Sequence, residues 1–470
     1  MILKRITRNF LSLFLSNVIG QLFILWAFVH IARVFGPGGF GKFSFAQVLV
    51  LHFLYLADFG LQTLGTRTIA QDRGEISKHV WDITLLRVLL SVGCFVLLVV
   101  FSILLPKPDE VRFLIIVFGF ALFPFAILFE WVFLGIEEME FVGLGRILKG
   151  VVFAGCVFFF INSPDHLSEA AAFYNAGFVV SAVTLLAIYV RRFGFTVVRT
   201  DYSTLRKTLI AAVPLASGSL IAQINFNFGI LALGFFLPDE VVGLFSAPYK
   251  IVVFMLAFAV VAAANAVFPL MASSYKKSLT LFSDSMKKIL RLFVFVAIPL
   301  GVGGSVLAPG IMGFLYSADY QKATIVLQLS IWIVVIAIYR VIFENALIAS
   351  NNQRSYFVGY ALAGGLTILG NLLLVPPLGL IAPSIVGLLS ELALMAYFLA
   401  SSKYVRLSHV LKTTFKPVLA AIIMGLALRS LPLNLFAALG IGVVLYFALL
   451  VFFRCLSLEE IAAYVNSSAQ

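Results

Sequence analysis

The chain has 470 residues, of which 62% are hydrophobic and 11% charged, and it carries a net charge of +12. That shortage of charge, against roughly 25% in ordinary soluble domains, and a mean hydropathy of +1.09 exclude a water-soluble globular fold. Apolar runs near or above the ~20 residues that cross a bilayer as a helix recur from end to end. Their lack of period-two alternation excludes a transmembrane β-barrel, so the expected fold is an all-α polytopic membrane protein.

In chain order, Lys4, Arg5 and Arg8 stand ahead of FLSLFLSNVIG, the arrangement of a secretory signal. The run continues to Ile31 without a small-residue cleavage pattern and is read as the first span. Fourteen spans follow the apolar runs, near 11–34, 42–64, 83–105, 111–135, 141–161, 168–190, 209–236, 245–271, 289–315, 323–349, 356–375, 377–400, 416–432 and 434–453. The twelfth is separated from the eleventh only by Pro376, Pro377 and Gly379. Prolines at 124, 214, 269 and 299 fall inside spans and are expected to kink helices or to serve packing. Cys94, Cys156 and Cys455 lie too far apart for a metal site and are read as small core residues.

Lys and Arg counts set the orientation. With a cytoplasmic N-terminus, the even-numbered loops and both tails hold 24 of the 33 basic residues. The other side holds Arg33, Lys42, Lys107, Arg112, Lys250, Lys322 and Arg429, and both termini are expected to be cytoplasmic. This asymmetry accounts for the positive charge without a nucleic-acid partner.

A repeat divides the chain. A shift of 202 residues lays Gly41, Phe43 and Ser44 on Gly243, Phe245 and Ser246; a shift of 204 lays Leu86 and Arg87 on Leu290 and Arg291; a shift of 216 lays Phe141, Val142 and Gly143 on Phe357, Val358 and Gly359. The expected organisation is two six-helix lobes, 1–190 and 209–402, related by a pseudo-two-fold axis. A basic connector, 191–208, joins them, and 403–470 supplies two further helices and a cytoplasmic tail. Parallel repeats of this kind place a substrate site between the halves and alternate access by rocking one against the other.

Charged groups inside spans cost roughly 2.5–3.5 kcal/mol each on insertion scales, so each requires a partner, water or a function. Asp58 and Arg87 fall at similar depth on adjacent helices and are read as a structural ion pair. Arg340 and Glu344, four apart on one face, can neutralise each other. Glu130 and Glu391 have no partner visible in the sequence and are the candidates for ion coupling. Asn17 and Gln21 share a face of span one, and Gln223 and Asn227 share a face of its repeat counterpart; both pairs either line a wet cavity suited to sugars or bond between helices. Arg33, Lys42 and Lys250 at the outer ends, with Arg87 and Arg291 at matching cytoplasmic positions, are candidate ligands for a phosphate-bearing lipid; for Arg87 and Arg291 snorkelling is the alternative. No nucleotide-binding glycine loop, metal cluster, cofactor motif or catalytic constellation is present in the sequence, so no enzyme is expected.

The segments RVFGPGGFGKFSFAQ, LADFGLQTLGTR and IAQDRG resemble the polysaccharide-biosynthesis flippases, the O-antigen and capsule translocases of the multidrug, oligosaccharidyl-lipid and polysaccharide exporter superfamily. The resemblance implies two six-helix lobes that move polyprenyl-phosphate- or diphosphate-linked glycan from the cytoplasmic to the outer leaflet of the inner membrane. It further implies dependence on an ion gradient and contact with membrane lipid and with other polysaccharide-assembly membrane proteins. A cation-drug antiporter of the same superfamily is an alternative, although its relatives commonly carry an acid in span one or seven, where this chain has amides. A membrane polymerase or glycosyltransferase is a second alternative, but the outward loops here are about ten residues or shorter.

Overall fold

The computed structural model describes the backbone of residues 2–194, 197–198, 200–432 and 434–455, and side chains from residue 13 onward apart from 219, 258–266 and 269. Among them are sixteen α-helices, two short 3-10 helices and no strand. In order the α-helices are α1 (Ile2–Asp58), α2 (Leu61–Gln71), α3 (Ile76–Leu104), α4 (Asp109–Gly119), α5 (Leu122–Ala126), α6 (Glu130–Gly135), α7 (Met139–Phe160), α8 (Leu167–Phe193), α9 (Tyr202–Phe236), α10 (Asp239–Lys277), α11 (Leu279–Leu315), α12 (Thr324–Ala349), α13 (Gln353–Leu378), α14 (Ala382–Ser402), α15 (Leu407–Ser430) and α16 (Leu435–Phe452).

Eleven helical stretches among the described residues are long and apolar enough to span a membrane, or twelve when the two arms of α9, bent by 44°, count as one. Two of the eleven, Leu13–Gln71 and Gln353–Ser402, have 59 and 50 residues. At ~1.5 Å per residue either exceeds twice the ~30 Å of hydrocarbon, so fourteen crossings requires each of them to cross twice. The first has a break at Gly36 (φ 64°), just before Pro37. Large apolar side chains such as Leu104, Leu373 and Val444 are exposed, which in a protein of this class is the lipid-facing surface.

The structure divides into two compact units, Met1–Lys250 with Thr367–Pro383, and Ile251–Leu366 with Ser384–Gln470. The boundary differs from that of the expected lobes because α9 packs along α1, α2 and α3. A Cβ on Gly60 would meet the backbone of Ala216, and one on Gly234 would overlap the Phe45 ring. The connector is shorter than expected, since α8 continues to Phe193 and α9 begins at Tyr202. At its end the hydroxyls of Ser203 and Thr204 both bond the Asp201 carboxylate at 2.6 Å and hold it down at about 2, so it stays charged at the start of α9.

The span expected at 111–135 is three short helices, interrupted around Phe120 and again at 127–129. Pro124 lies in the middle piece and cannot donate to the helical ladder. In the second unit α12 is the most buried span, and it carries Arg340 and Glu344 in its interior.

Candidate functional site

The Gly/Pro turn after Arg33 and its copy after Pro238 meet directly within the first unit. A Cβ built on Gly41 would overlap the carbonyl oxygen of Asp239, and one on Gly243 would overlap the carbonyl oxygen of Pro37. Residues 37 and 239, like 41 and 243, are related by the shift of 202, so the contact is reciprocal. Only glycine permits such backbone-to-backbone approach. Around it Lys107 pairs with Asp239 at 3.0 Å and Lys42 with Glu110 at 2.5 Å. Arg33 is exposed beside the break.

Lys250 lies deeper than expected. The sequence places it near the start of span eight, but α10 begins at Asp239, with Asp239 and Glu240 in its first turn. Pro238 followed by two acids is a helix-start signal that the hydropathy pattern hides. Lys250 is therefore three turns in, about 16 Å along the axis. Its Nζ donates to Gln47 Oε1 at 2.6 Å and lies 4.3 Å from the Phe28 ring centroid.

From Phe28 a row of rings runs through Phe153 (5.6 Å) and Tyr174 (5.3 Å) to Phe178 (5.3 Å). At its far end Lys149 sits 3.6 Å from the Phe178 centroid. Lys149 falls within the span expected at 141–161; it is ten residues into α7, about 15 Å from the helix start. Neither lysine has a carboxylate within salt-bridge distance among the described residues. Ring faces and one amide offset the cost of a cation there only in part.

Glu130 accepts from Arg146 Nε at 3.1 Å and Nη2 at 3.0 Å, so the acid that lacked a visible partner has one on α7. It also acts electrostatically on Arg87 and Lys149. Arg87 is fully buried and lies 3.4 Å from Asp58. It donates to the carbonyls of Leu128 (3.2 Å), inside the α5–α6 break, and Phe125 (2.6 Å), just before it. A guanidinium so placed fixes the broken helix, while its Nε faces Asp58 without a hydrogen bond. Arg291, its counterpart by the shift of 204, is exposed and donates to the Cys455 carbonyl at 2.5 Å after α16, so the sequence match does not carry over to the environment.

Asn17 and Gln21 are half-buried on α1, flanking Gly20, which packs on the backbone of Arg146 and Gly150 in α7. Gln223 is buried with its Nε2 lacking a hydrogen-bond partner; Asn227 is half-buried. Asn225, on another face, accepts from Thr367 at 3.3 Å, and the neighbouring Asn371 Oδ1 is also unpartnered.

In the second unit Glu391, the other acid without a visible partner, accepts from Arg340 Nε at 2.8 Å. Arg340 Nη1 also donates to Glu344 and, at 2.7 Å, to the Tyr360 hydroxyl, which donates to Glu344 Oε1 at 3.0 Å. The i,i+4 pair read from the sequence is thus part of a four-residue network across α12, α13 and α14. Among the described residues no three His, Cys, Asp or Glu side chains converge as metal ligands would.

Comparison with known proteins gives the architecture a family. The model of the polysaccharide biosynthesis protein family matches residues 6–275. A curated protein of Escherichia coli (strain K12), described as "Putative O-antigen transporter", is 24% identical over 241 residues, 49% of this chain and 58% of that one. The match thus spans a little over half of the relative's length. Among solved structures, the lipid II flippase MurJ in an inward closed conformation superposes with a TM-score of 0.79 at 15% identity, covering 95% of this chain and 99% of that one. An inward-facing multidrug MATE transporter superposes with a TM-score of 0.64 at 14% identity, covering 84% and 96%. With more than half its length matched by the family model, the chain belongs to the polysaccharide biosynthesis protein family, on the fold shared by MurJ and the MATE transporters.

Proposed function

We propose that this protein is a flippase that carries polyprenyl-phosphate- or diphosphate-linked oligosaccharide from the cytoplasmic to the outer leaflet of the inner membrane, by alternating access between two lobes, for cell-surface polysaccharide assembly. The observation that carries the reading is the positive interior of the first unit. Asp58, Arg87, Glu130, Arg146 and Lys149 form one electrostatic group with three cations and two acids. Lys250 adds a further cation held, among the described residues, by an amide and a ring. Such cations have favourable contacts to gain from a phosphate that enters, whereas Arg87 and Arg146 already serve carbonyls and carboxylates.

In this reading Lys250 and Lys149 exchange ring and amide contacts for phosphate oxygens. Asn17, Gln21, Gln223 and Asn227 offer donors and acceptors to the glycan, Arg33 and Lys42 act at the outer mouth, and the prenyl tail stays in lipid. The likeness to multidrug transporters supports cation-drug antiport as a second reading. A positive interior repels cations, which favours the first.

Lys250→Ala and Lys149→Ala, each with wild-type yield in detergent, are expected to lower glycan export about tenfold or more, as loss of a charge-assisted hydrogen bond of roughly 1.5–3 kcal/mol implies. Depletion of the protein is expected to leave lipid-linked oligosaccharide on the cytoplasmic leaflet. Unchanged export in both variants would remove the phosphate role. Purified protein in vesicles that expels a cationic dye and leaves lipid-linked glycan in place would transfer the assignment to the second reading.

A further inference from the structure

In the second unit, the turns that join α12 to α13 and α14 to α15 enclose a cleft of about 470 Å³. Its wall is polar. Ser350, Asn351 and Asn352 come from the first turn, and Ser401, Lys403 and Tyr404 from the second. The second turn is anchored by a further helix: Ser283 of α11 donates to the Tyr404 carbonyl at 2.9 Å, and the Phe282 ring lies edge-on to that of Tyr404 at 4.8 Å. Asn351 and Lys403 both have left-handed backbone, with φ 57°. Asparagine commonly ends a helix this way and lysine seldom does, so the turn itself does not explain Lys403.

The charge around the cleft is one-sided. No acid lies between Glu344 and Glu391, nor between Glu391 and Glu459. Arg354, Lys403 and Arg406 all stand on these two turns or within two residues of the lining, and all are exposed. Among the described residues none of the three has an ion pair or a hydrogen bond, and the Asn351 amide and the Ser401 hydroxyl are likewise unpartnered. Other basic residues near the ends of these helices are occupied: Lys287 pairs with Asp284, Arg291 donates to the Cys455 carbonyl and Lys416 to that of Phe453.

An apolar stripe starts beside this polar cleft. Leu407, Leu411 and Phe415 follow Arg406 at every fourth position, on one face of α15, and are 57%, 61% and 69% exposed. We propose that the cleft binds the headgroup of an anionic membrane phospholipid, with its acyl chains along that stripe. Arg354, Lys403 and Arg406 take the phosphate, and Asn351 and Ser401 bond its oxygens or the hydroxyls of a glycerol headgroup. Cations beside the bilayer surface attract anionic headgroups, and a guanidinium meets a phosphate with two parallel hydrogen bonds. A soluble phosphate ester satisfies the same polar groups but leaves the stripe uncovered. Headgroup binding does not depend on which substrate the protein moves.

The test is native mass spectrometry of the purified, delipidated full chain mixed with dioleoyl phosphatidylglycerol or dioleoyl phosphatidylcholine, the former also in competition with glycerol phosphate. One phosphatidylglycerol is expected to bind with about tenfold preference over phosphatidylcholine. The double variant Arg354→Gln with Lys403→Gln is expected to lose that preference. So is Ser401→Leu, which fills the cleft and changes no charge. Lys412→Gln, an exposed cation on α15 outside the lining, is expected to keep it. Equal binding of the two lipids, a preference that survives in either cleft variant, or an equal loss in Lys412→Gln overturns the proposal. Glycerol phosphate that displaces the lipid at equal concentration assigns the cleft to a soluble phosphate ester and overturns the lipid assignment.

Discussion

Arg87 illustrates how a single charge is read differently by sequence and by structure. At similar depth to Asp58 on an adjacent helix, it was legible as an ion-pair partner, and the pair is present at 3.4 Å. What the sequence could not supply is the second pair of partners, because Phe125 and Leu128 expose their carbonyls only where the helix breaks. Arg87→Ala leaves Asp58 without its cation and both carbonyls without their donor, and a loss of about 3–5 kcal/mol is expected, as for a buried pair stripped of one member. Thermal unfolding in detergent should register it as a large fall in midpoint and a poor yield. A variant with native midpoint and no export would return Arg87 to the substrate. Lys149 shows the converse. It drew no notice in the sequence, yet it lies mid-helix on the faces of Phe178 and Tyr174, and ring contacts between α7 and α8 leave no spacing signal in a chain with 48 phenylalanines.

At the scale of elements, the informative unit is the Gly/Pro turn and its copy. The shift of 202 residues predicts equivalence, and the structure adds that the equivalent turns touch, Gly41 on Asp239 and Gly243 on Pro37. Gly41→Ala or Gly243→Ala forces the two backbones apart at a cost of about 1–3 kcal/mol, the range for overpacking. Gly38→Ala, where nothing lies within 4 Å of the added carbon, is the control. Glycan export and melting temperature are expected to fall for the first two variants and to hold for the third. Equal behaviour of all three would show that the contact does not matter. Helix starts were less legible: α10 begins six residues before its apolar run, since Pro238, Asp239 and Glu240 initiate a helix without being hydrophobic.

For the whole molecule, the distribution of Lys and Arg predicts both termini on the cytoplasmic side. Alkaline phosphatase fused after Pro108 should therefore be active, and fused after Lys403 inactive; the reverse pattern would invert the proposed direction of transport. Membrane class, helical content and the internal repeat follow from the sequence, because hydropathy and repetition are properties of the chain that need no contact between distant parts. Membership of the polysaccharide biosynthesis family was legible in the turn motifs for the same reason, and the family model confirms it over residues 6–275. The tertiary structure alone decided which charges are balanced. Glu130 found Arg146, Glu391 found Arg340, and Lys149 and Lys250 found rings and an amide, with no carboxylate at salt-bridge distance among the described residues. Neutralisation in a low-dielectric interior is settled over a few ångströms between helices that the sequence keeps far apart.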